Sequence, residues 1–316
     1  MITIPKCHTL ILHCLLTLSL VIPEANADTA QSQNPSAQKL RIASWNLAWL
    51  GSDPNNKRRQ HDYRQLSRYA SELNADVIAL QEVENAKWAS KVLGSGYDYY
   101  FSSRDASQRV GFAVRQSLPL QRHWREYRAL DTGNLRYGLD LTLSGARDSL
   151  RLLAVHLKSG CFRESLAPKD IDKMPVVSSK QRYRRRSCDR LREQIKPLER
   201  WIDRRAAEGQ AFVVLGDFNR QLTTDVEREY GEREGLWQAL DDSGAEALWT
   251  PALNKESRCW GGRHRQYIDY ILLGTRAQTR YVPKSFRQLL YREPYQRERA
   301  QRLSDHCPIS IELNWL

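Results

Sequence analysis

A chain of 316 residues is long enough for one large α/β domain or two small ones. Its formal net charge of +12 points to polyanionic partners such as DNA, RNA or anionic lipid headgroups. That excess goes beyond what an enzyme recognising a single small-molecule phosphate would require.

Residues 1–27 have the pattern of a signal peptide. Lys6 and His8 precede the apolar run 10–22, and Ala25-Asn26-Ala27 supplies a small-x-small site for cleavage before Asp28. His13 and Cys14 interrupt the run, which falls short of the roughly 20 apolar residues a spanning helix needs. Lys6 and Glu24 cancel, so the whole excess charge belongs to the mature chain. Polar residues 28–39 are expected to form a disordered lead-in. Residues 40–316 are expected to form one domain, since no later stretch reads as a long linker.

Along that domain, short apolar runs at 40–45, 77–80, 150–155, 212–215, 268–273 and 309–313 predict buried strands. Looser alternation at 97–101, 110–114 and 137–143 predicts antiparallel strands, so the sheets should be mixed. A helix is predicted over 58–73, where Tyr63, Leu66, Tyr69, Ala70 and Leu73 share a face, and another over 191–207, through Ile195, Leu198 and Ile202. The class is α/β.

Cys7 and Cys14 leave with the leader, and Cys161, Cys188, Cys259 and Cys307 remain. An even number in an oxidising compartment suggests two disulfides, with three pairings open. Cys161 and Cys188 bracket one polar loop, whereas Cys259 and Cys307 each adjoin a polar motif, which favours Cys161–Cys188 and Cys259–Cys307. A zinc site is disfavoured because none of the four lies in a CxxC-type pair.

Nearly every predicted strand ends in a carboxylate, amide or imidazole: Ser44-Trp45-Asn46, Leu80-Gln81-Glu82, Ala154-Val155-His156, Gly216-Asp217-Phe218-Asn219, Ile268-Asp269-Tyr270 and, before the last strand, Ser304-Asp305-His306. A core has no need of this. Strand ends that meet at one edge of a sheet are where α/β proteins place ligands. Taken alone, Gly-Asp-x-Asn is as readily an Asx turn, and Glu82 a strand-end carboxylate facing water.

In their order and placement these motifs resemble the endonuclease/exonuclease/phosphatase family, over about residues 40–313. The resemblance implies a four-layer α/β sandwich, two central mixed β-sheets flanked by helices, and metal-dependent phosphodiester hydrolysis. It implies Glu82 as metal ligand, with Asn46 and Asp305 as further ligands or orienters, for Mg²⁺ or, as substitutes, Mn²⁺ or Ca²⁺. Asp217 would activate or position the attacking water and Asn219 would hold a phosphate oxygen. Asp269 would fix the tautomer of His306, and His156 would stand beside the leaving oxygen. Arg136 aligns with a phosphate-contacting arginine of pancreatic-type deoxyribonucleases. Those enzymes pair the counterpart of His156 with a glutamate, where this chain has Gln108. Abasic-site endonucleases carry a tyrosine where this chain has His156, which disfavours DNA repair.

Two basic stretches bear on the substrate. Residues 180–186 read Lys-Gln-Arg-Tyr-Arg-Arg-Arg, and residues 276–302 interleave arginines and lysines with Tyr281, Phe286, Tyr291 and Tyr295. Such mixtures can follow a phosphate backbone while stacking bases. The expected protein is a periplasmic or extracellular monomer that hydrolyses nucleic acid, DNA first, as an endonuclease. Two alternatives are a secreted sphingomyelinase-type phospholipase, for which Trp260 is the nearest membrane-entering aromatic, and a non-catalytic surface protein that binds DNA.

Overall fold

In the computed structural model, residues 38–54, 57–146, 148–242, 244 and 246–315 are described. The expected signal peptide and residues 28–37 of the lead-in lie outside them. Gln38 and Lys39 are already strand, paired with Trp315 and Asn314, so the lead-in ends earlier than residue 39.

Among the described residues, eleven strands run in chain order: β1 (Gln38–Leu50), β2 (Val77–Val83), β3 (Tyr97–Phe101), β4 (Arg109–Arg115), β5 (Gln121–Tyr127), β6 (Gly138–Ser144), β7 (Ser149–His156), β8 (Ala211–Asp217), β9 (Asp269–Leu273), β10 (Arg287–Gln288) and β11 (Ile309–Trp315). They form a six-stranded sheet, β10-β11-β1-β2-β4-β3, and a five-stranded sheet, β5-β6-β7-β8-β9. β1 and β2 are parallel, as are β7 and β8, and every other pair is antiparallel. Both sheets are therefore mixed, as expected.

The period-two pattern of β1 explains the layering. Leu40 and Ile42, with Val77, Ala79 and Phe112, join the core shared with the second sheet, whereas Ala43 and Trp45 turn outward. There they meet Leu66, Tyr69 and Leu73 of α1 (Gln60–Leu73) and Ala89 and Val92 of α2 (Ala86–Leu93). After α3 (Pro168–Lys173), the long helix α4 (Ser179–Ala207) buries Leu191, Leu198, Trp201 and Ile202 with the second sheet's residues. Helix, sheet, sheet and helix make four layers. None of the described helices is long and apolar enough to cross a membrane.

Differences from the sequence reading have local causes. α4 starts at Ser179 rather than 191, under a capping box in which Ser178 and Gln181 exchange hydrogen bonds of 3.2 and 2.9 Å. Its first turns lie largely in water and show no apolar stripe. The segment between Cys161 and Cys188 is thus part helix, not one polar loop. The edge strand β5, Gln-Arg-His-Trp-Arg-Glu-Tyr, is too charged to read as a strand, which suits an exposed edge. Both disulfides pair as favoured, Cys161 with Cys188 and Cys259 with Cys307.

At the end of β8, Gly216 has φ 149°, and a Cβ there would lie 2.0 Å from the Val155 carbonyl oxygen. Only glycine lets β7 and β8 approach this closely. Gly216→Ala is expected to lower stability by about 2–4 kcal/mol, read as a lower midpoint in urea unfolding.

Candidate active site

Strand register brings distant residues to one edge. In the second sheet His156 pairs with Asp217 across the parallel β7 and β8, and Asp217 with Asp269 across β8 and β9. In the first sheet Asn46 pairs with Gln81, and Glu82 follows at the end of β2. Asp305 and His306 precede β11, whose antiparallel course starts at the same edge. Bulges re-aim the side chains here: the register shifts between Asn46 and Leu50 and between Gln81 and Val83. Glu82 and Asn219 take left-handed backbone, φ 57° and 51°. Such strain in residues other than glycine is concentrated at functional sites.

The two sheets are joined at this edge by polar contacts. Asn46 Nδ2 donates to Asp217 Oδ2 (3.1 Å) and Glu82 Oε1 (3.3 Å), while its Oδ1 accepts from the Ala48 amide (2.9 Å). Asn46 thus bridges two carboxylates, one from each sheet. Asp217 Oδ1 accepts from the Asn219 amide (2.8 Å), and Asn219 Nδ2 donates to the Leu157 carbonyl (3.1 Å). His156 Nε2 stands 3.4 Å from Asp217 and 3.6 Å from Glu82. His306 Nδ1 lies 2.7 Å from Asp269 Oδ2, and its Nε2 is 3.8 Å from Asp217. Arg136 donates to the carbonyls of His156 (3.2 Å) and Leu157 (2.5 Å). Glu82, Arg136, His156, Asp217, Asp269 and His306, together with Asn219 and Asp305, line one cavity of about 420 Å³. All nine residues singled out in the sequence therefore meet here, Asn46 through its two carboxylate partners.

Burial sets the protonation states. Buried almost completely, Asp217 is pushed up to about 7, with Asp269 reinforcing and the charge of His306 opposing. Burial also raises Glu82, against His306 and the Asn46 hydrogen bond and with help from Asp305. For His306, burial works against the charged form, but the carboxylates of Asp269 and Asp217 outweigh it and hold the imidazole well above its usual range. For His156, burial and the positive charges of Arg136 and His306 keep the ring neutral. Its Nδ1 is buried without a partner. Gln108 lines the same cavity, and among the described residues no carboxylate bonds His156 Nδ1.

The donor set fits a hard divalent cation. Glu82 and Asp305 offer oxygen only, and burial together with the neighbouring Asp305 carboxylate disfavours the ionised form of Glu82 until a cation neutralises it. Asp217, Asp269 and His306 also offer ligand atoms within 4.8 Å of one another. An imidazole held charged by its neighbours donates rather than ligates, which favours the Glu82–Asp305 side.

Other expectations are corrected. Trp260 is buried, stacked on Tyr291, and donates from Nε1 to the Ser304 carbonyl (2.9 Å), so it is no membrane-entering aromatic. In 276–302, Tyr291 is core, Tyr281 packs on Trp249 and Phe286 on Tyr267. Arg280 pairs with Asp148, and Arg287 and Arg292 with Glu72. Much of that stretch is packed and ion-paired, and of its four named aromatics Tyr295 is exposed. The sequence reading missed Trp49 and Phe162, exposed aromatics at the site with no motif to mark them, and Arg58, which donates to the carbonyls of Leu47 and Ala48 (2.6 and 2.8 Å).

A family model described as Endonuclease/Exonuclease/phosphatase family matches residues 43–306. No curated protein sequence matches significantly. Among solved structures, D. rerio TDP2 complexed with single strand DNA product aligns with a TM-score of 0.55 at 20% identity, over 87% of this chain and 99% of that one. The 3'-5' exonuclease NExo from Neisseria meningitidis aligns with a TM-score of 0.53 at 19% identity, over 87% and 100%. The human Nocturnin catalytic domain with bound sulfate anion aligns with a TM-score of 0.53 at 13% identity, over 88% and 95%. At these identities the likeness is one of fold.

A carboxyl whose pKa is raised on folding binds its proton more tightly in the folded state, so stability is lost as pH climbs from its ordinary 3.8 through about 7. Asp217→Asn, which mimics the protonated acid, is expected to raise the thermal midpoint of metal-free protein at pH 8, the gain shrinking toward pH 4. An unchanged or lower midpoint at pH 8 would contradict the strained, ionised Asp217. Asp269→Asn should lower the pKa of His306, seen by NMR titration of the imidazole as a midpoint moved down in pH.

Proposed function

Because the chain belongs to the endonuclease/exonuclease/phosphatase family, we propose that it is a secreted, metal-dependent phosphodiesterase that cleaves nucleic acid, DNA first, at internal positions. The observation that carries this reading is the union of Glu82, Asp217 and Asp305 with His156 and His306 around one cavity, drawn from both sheets. A divalent cation, Mg²⁺ for preference, would sit on Glu82 and Asp305 and neutralise charge on the phosphate. Asp217, with a pKa near neutrality, takes the proton of the attacking water as its oxygen bonds to phosphorus. Charged His306, aimed by Asp269, donates from Nε2 to a phosphate oxygen. Neutral His156 serves as a hydrogen-bond donor near the leaving oxygen, which departs with its bonding electrons and is protonated from solvent. Arg136 and Asn219 hold the neighbouring backbone in place and face the phosphate.

Secretion is supported by the leader-like sequence and by two disulfides. DNA is favoured by the net charge of +12, and by neighbours of the same fold whose names describe an exonuclease and a complex with single strand DNA product. The phospholipase reading loses its membrane aromatic with the burial of Trp260. A purely DNA-binding role leaves the buried acids without a purpose.

Purified protein lacking residues 1–27 is expected to nick supercoiled plasmid in Mg²⁺ and to be silent in EDTA. Asp217→Ala and His306→Ala should each reduce the rate by at least about a hundredfold. Degradation of linear ends with intact plasmid would replace the endonuclease with an end-directed enzyme, and inactivity on DNA and RNA with every divalent metal would overturn the nuclease reading.

A further inference from the structure

Two cavities meet at the site. One reaches from Glu82, Asp305 and His306 toward Ser159 and Phe162, and the other runs from the same three residues toward Trp49, Asp53 and Gln301. Among the described residues, several large apolar side chains are exposed, yet only Trp49 (41%) and Phe162 (38%) line these cavities. One exposed ring thus stands in each arm, with the acid centre between them.

Neither ring is exposed because its loop is loose. Ala48 and Trp49 both have left-handed backbone, φ 43° and 57°, a conformation in which glycine would be free of strain. It is enforced nonetheless. The Trp49 amide donates to Glu82 Oε2 (3.2 Å), and the Arg58 guanidinium donates to the Leu47, Ala48 and Trp49 carbonyls and to that of Arg302 (2.6 Å). Phe162 follows Cys161, which is bonded to Cys188, and its carbonyl accepts from the Gln221 amide (2.8 Å). The next carbonyl, Arg163, accepts from Arg228 (2.7 Å). A clamped backbone thus holds a large apolar ring about two-fifths exposed to water at each place. Such a ring is preorganised for a ligand with an exposed flat face.

We propose that the strand crossing the active site is single-stranded, one base stacking on Trp49 and another on Phe162 on opposite sides of the phosphate at Glu82, Asp305 and His306. The proposal rests on the phosphodiesterase reading and names its substrate. Paired bases hide their faces inside the duplex stack, so two rings flanking one phosphate can both be used only by an unpaired strand. Stacking is indifferent to base identity, so the site would tolerate many sequences.

The test is binding of a fluorescent thymidine oligonucleotide, followed by anisotropy in EDTA, against a hairpin duplex of equal length. The wild-type protein should prefer the single strand. Trp49→Ala and Phe162→Ala should each weaken single-strand binding about tenfold and shrink that preference, with recovery in Trp49→Phe and Phe162→Tyr. Circular dichroism melts of every variant separate lost stacking from lost fold, and the two aromatic replacements keep the test decisive should an alanine variant unfold. Equal affinity of the wild type for hairpin and single strand overturns the proposal. So does an alanine variant that folds and binds the single strand as before, or one whose only loss is adsorption to phosphatidylserine vesicles. Cleavage assays in Mg²⁺ distinguish the two failures: ring-dependent binding without cleavage sinks the nuclease reading alone, and cleavage without ring-dependent binding sinks this one alone.

Discussion

The burial of the Asp217 carboxylate between the ends of two sheets is the constraint on which the rest of the site depends. It is reached by an amide from the opposite sheet, Asn46, and lies within 4 Å of imidazoles carried by each sheet. Parallel pairs β1–β2 and β7–β8 send their C-terminal ends to one edge, and the antiparallel β9 and β11 start there. Face-to-face packing then brings those ends together away from water, which raises Asp217 and Glu82 and makes His156 and His306 opposites in charge. An isolated sheet could supply the same residues but not the dielectric that tunes them.

Buried like charges push apart, so the edge is held by force from outside the cavity. Tyr291 donates to the His306 carbonyl and accepts from the indole of Trp45, both at 3.0 Å, while Ser304 ties the Asn46 carbonyl and the His306 amide together. Cys307, next to His306, is bonded to Cys259. Tyr291 is the aromatic of 276–302 that faces fully inward, and it helps fix the position of His306. Preorganisation of this kind lets charged groups act without rearranging during the reaction.

Much of the site was legible because its chemistry repeats at the ends of apolar runs. The strands leading into Glu82 and Asp217 are read from period and composition, with small shifts in their ends, whereas the roles of those residues are what the family resemblance implies. What was not legible depended on tertiary context. The first turns of α4 carry no stripe because they are not packed, and the aromatics near Arg287 and Arg292 look exposed until Glu72 and the core claim them. Trp260 reads as surface beside two glycines, and only the stack on Tyr291 shows otherwise. Trp49 lies three residues beyond the Ser44-Trp45-Asn46 motif, and nothing local reveals a left-handed tryptophan.

These placements also change what the basic excess can do. Where arginines of 276–302 are paired with Glu72 and Asp148, they contribute a diffuse attraction for a polyanion rather than contacts at defined phosphates. On the nucleic-acid reading, surface charge would govern how fast and how strongly a strand is drawn in, an attraction that falls with added salt. It carries no register. Register has to come from contacts that do not move, and at the site those are the clamped rings, the imidazolium fixed by Asp269 and the carboxylates at the bulged strand ends. A protein divided in this way should accept many sequences while holding the reacting phosphate in one position.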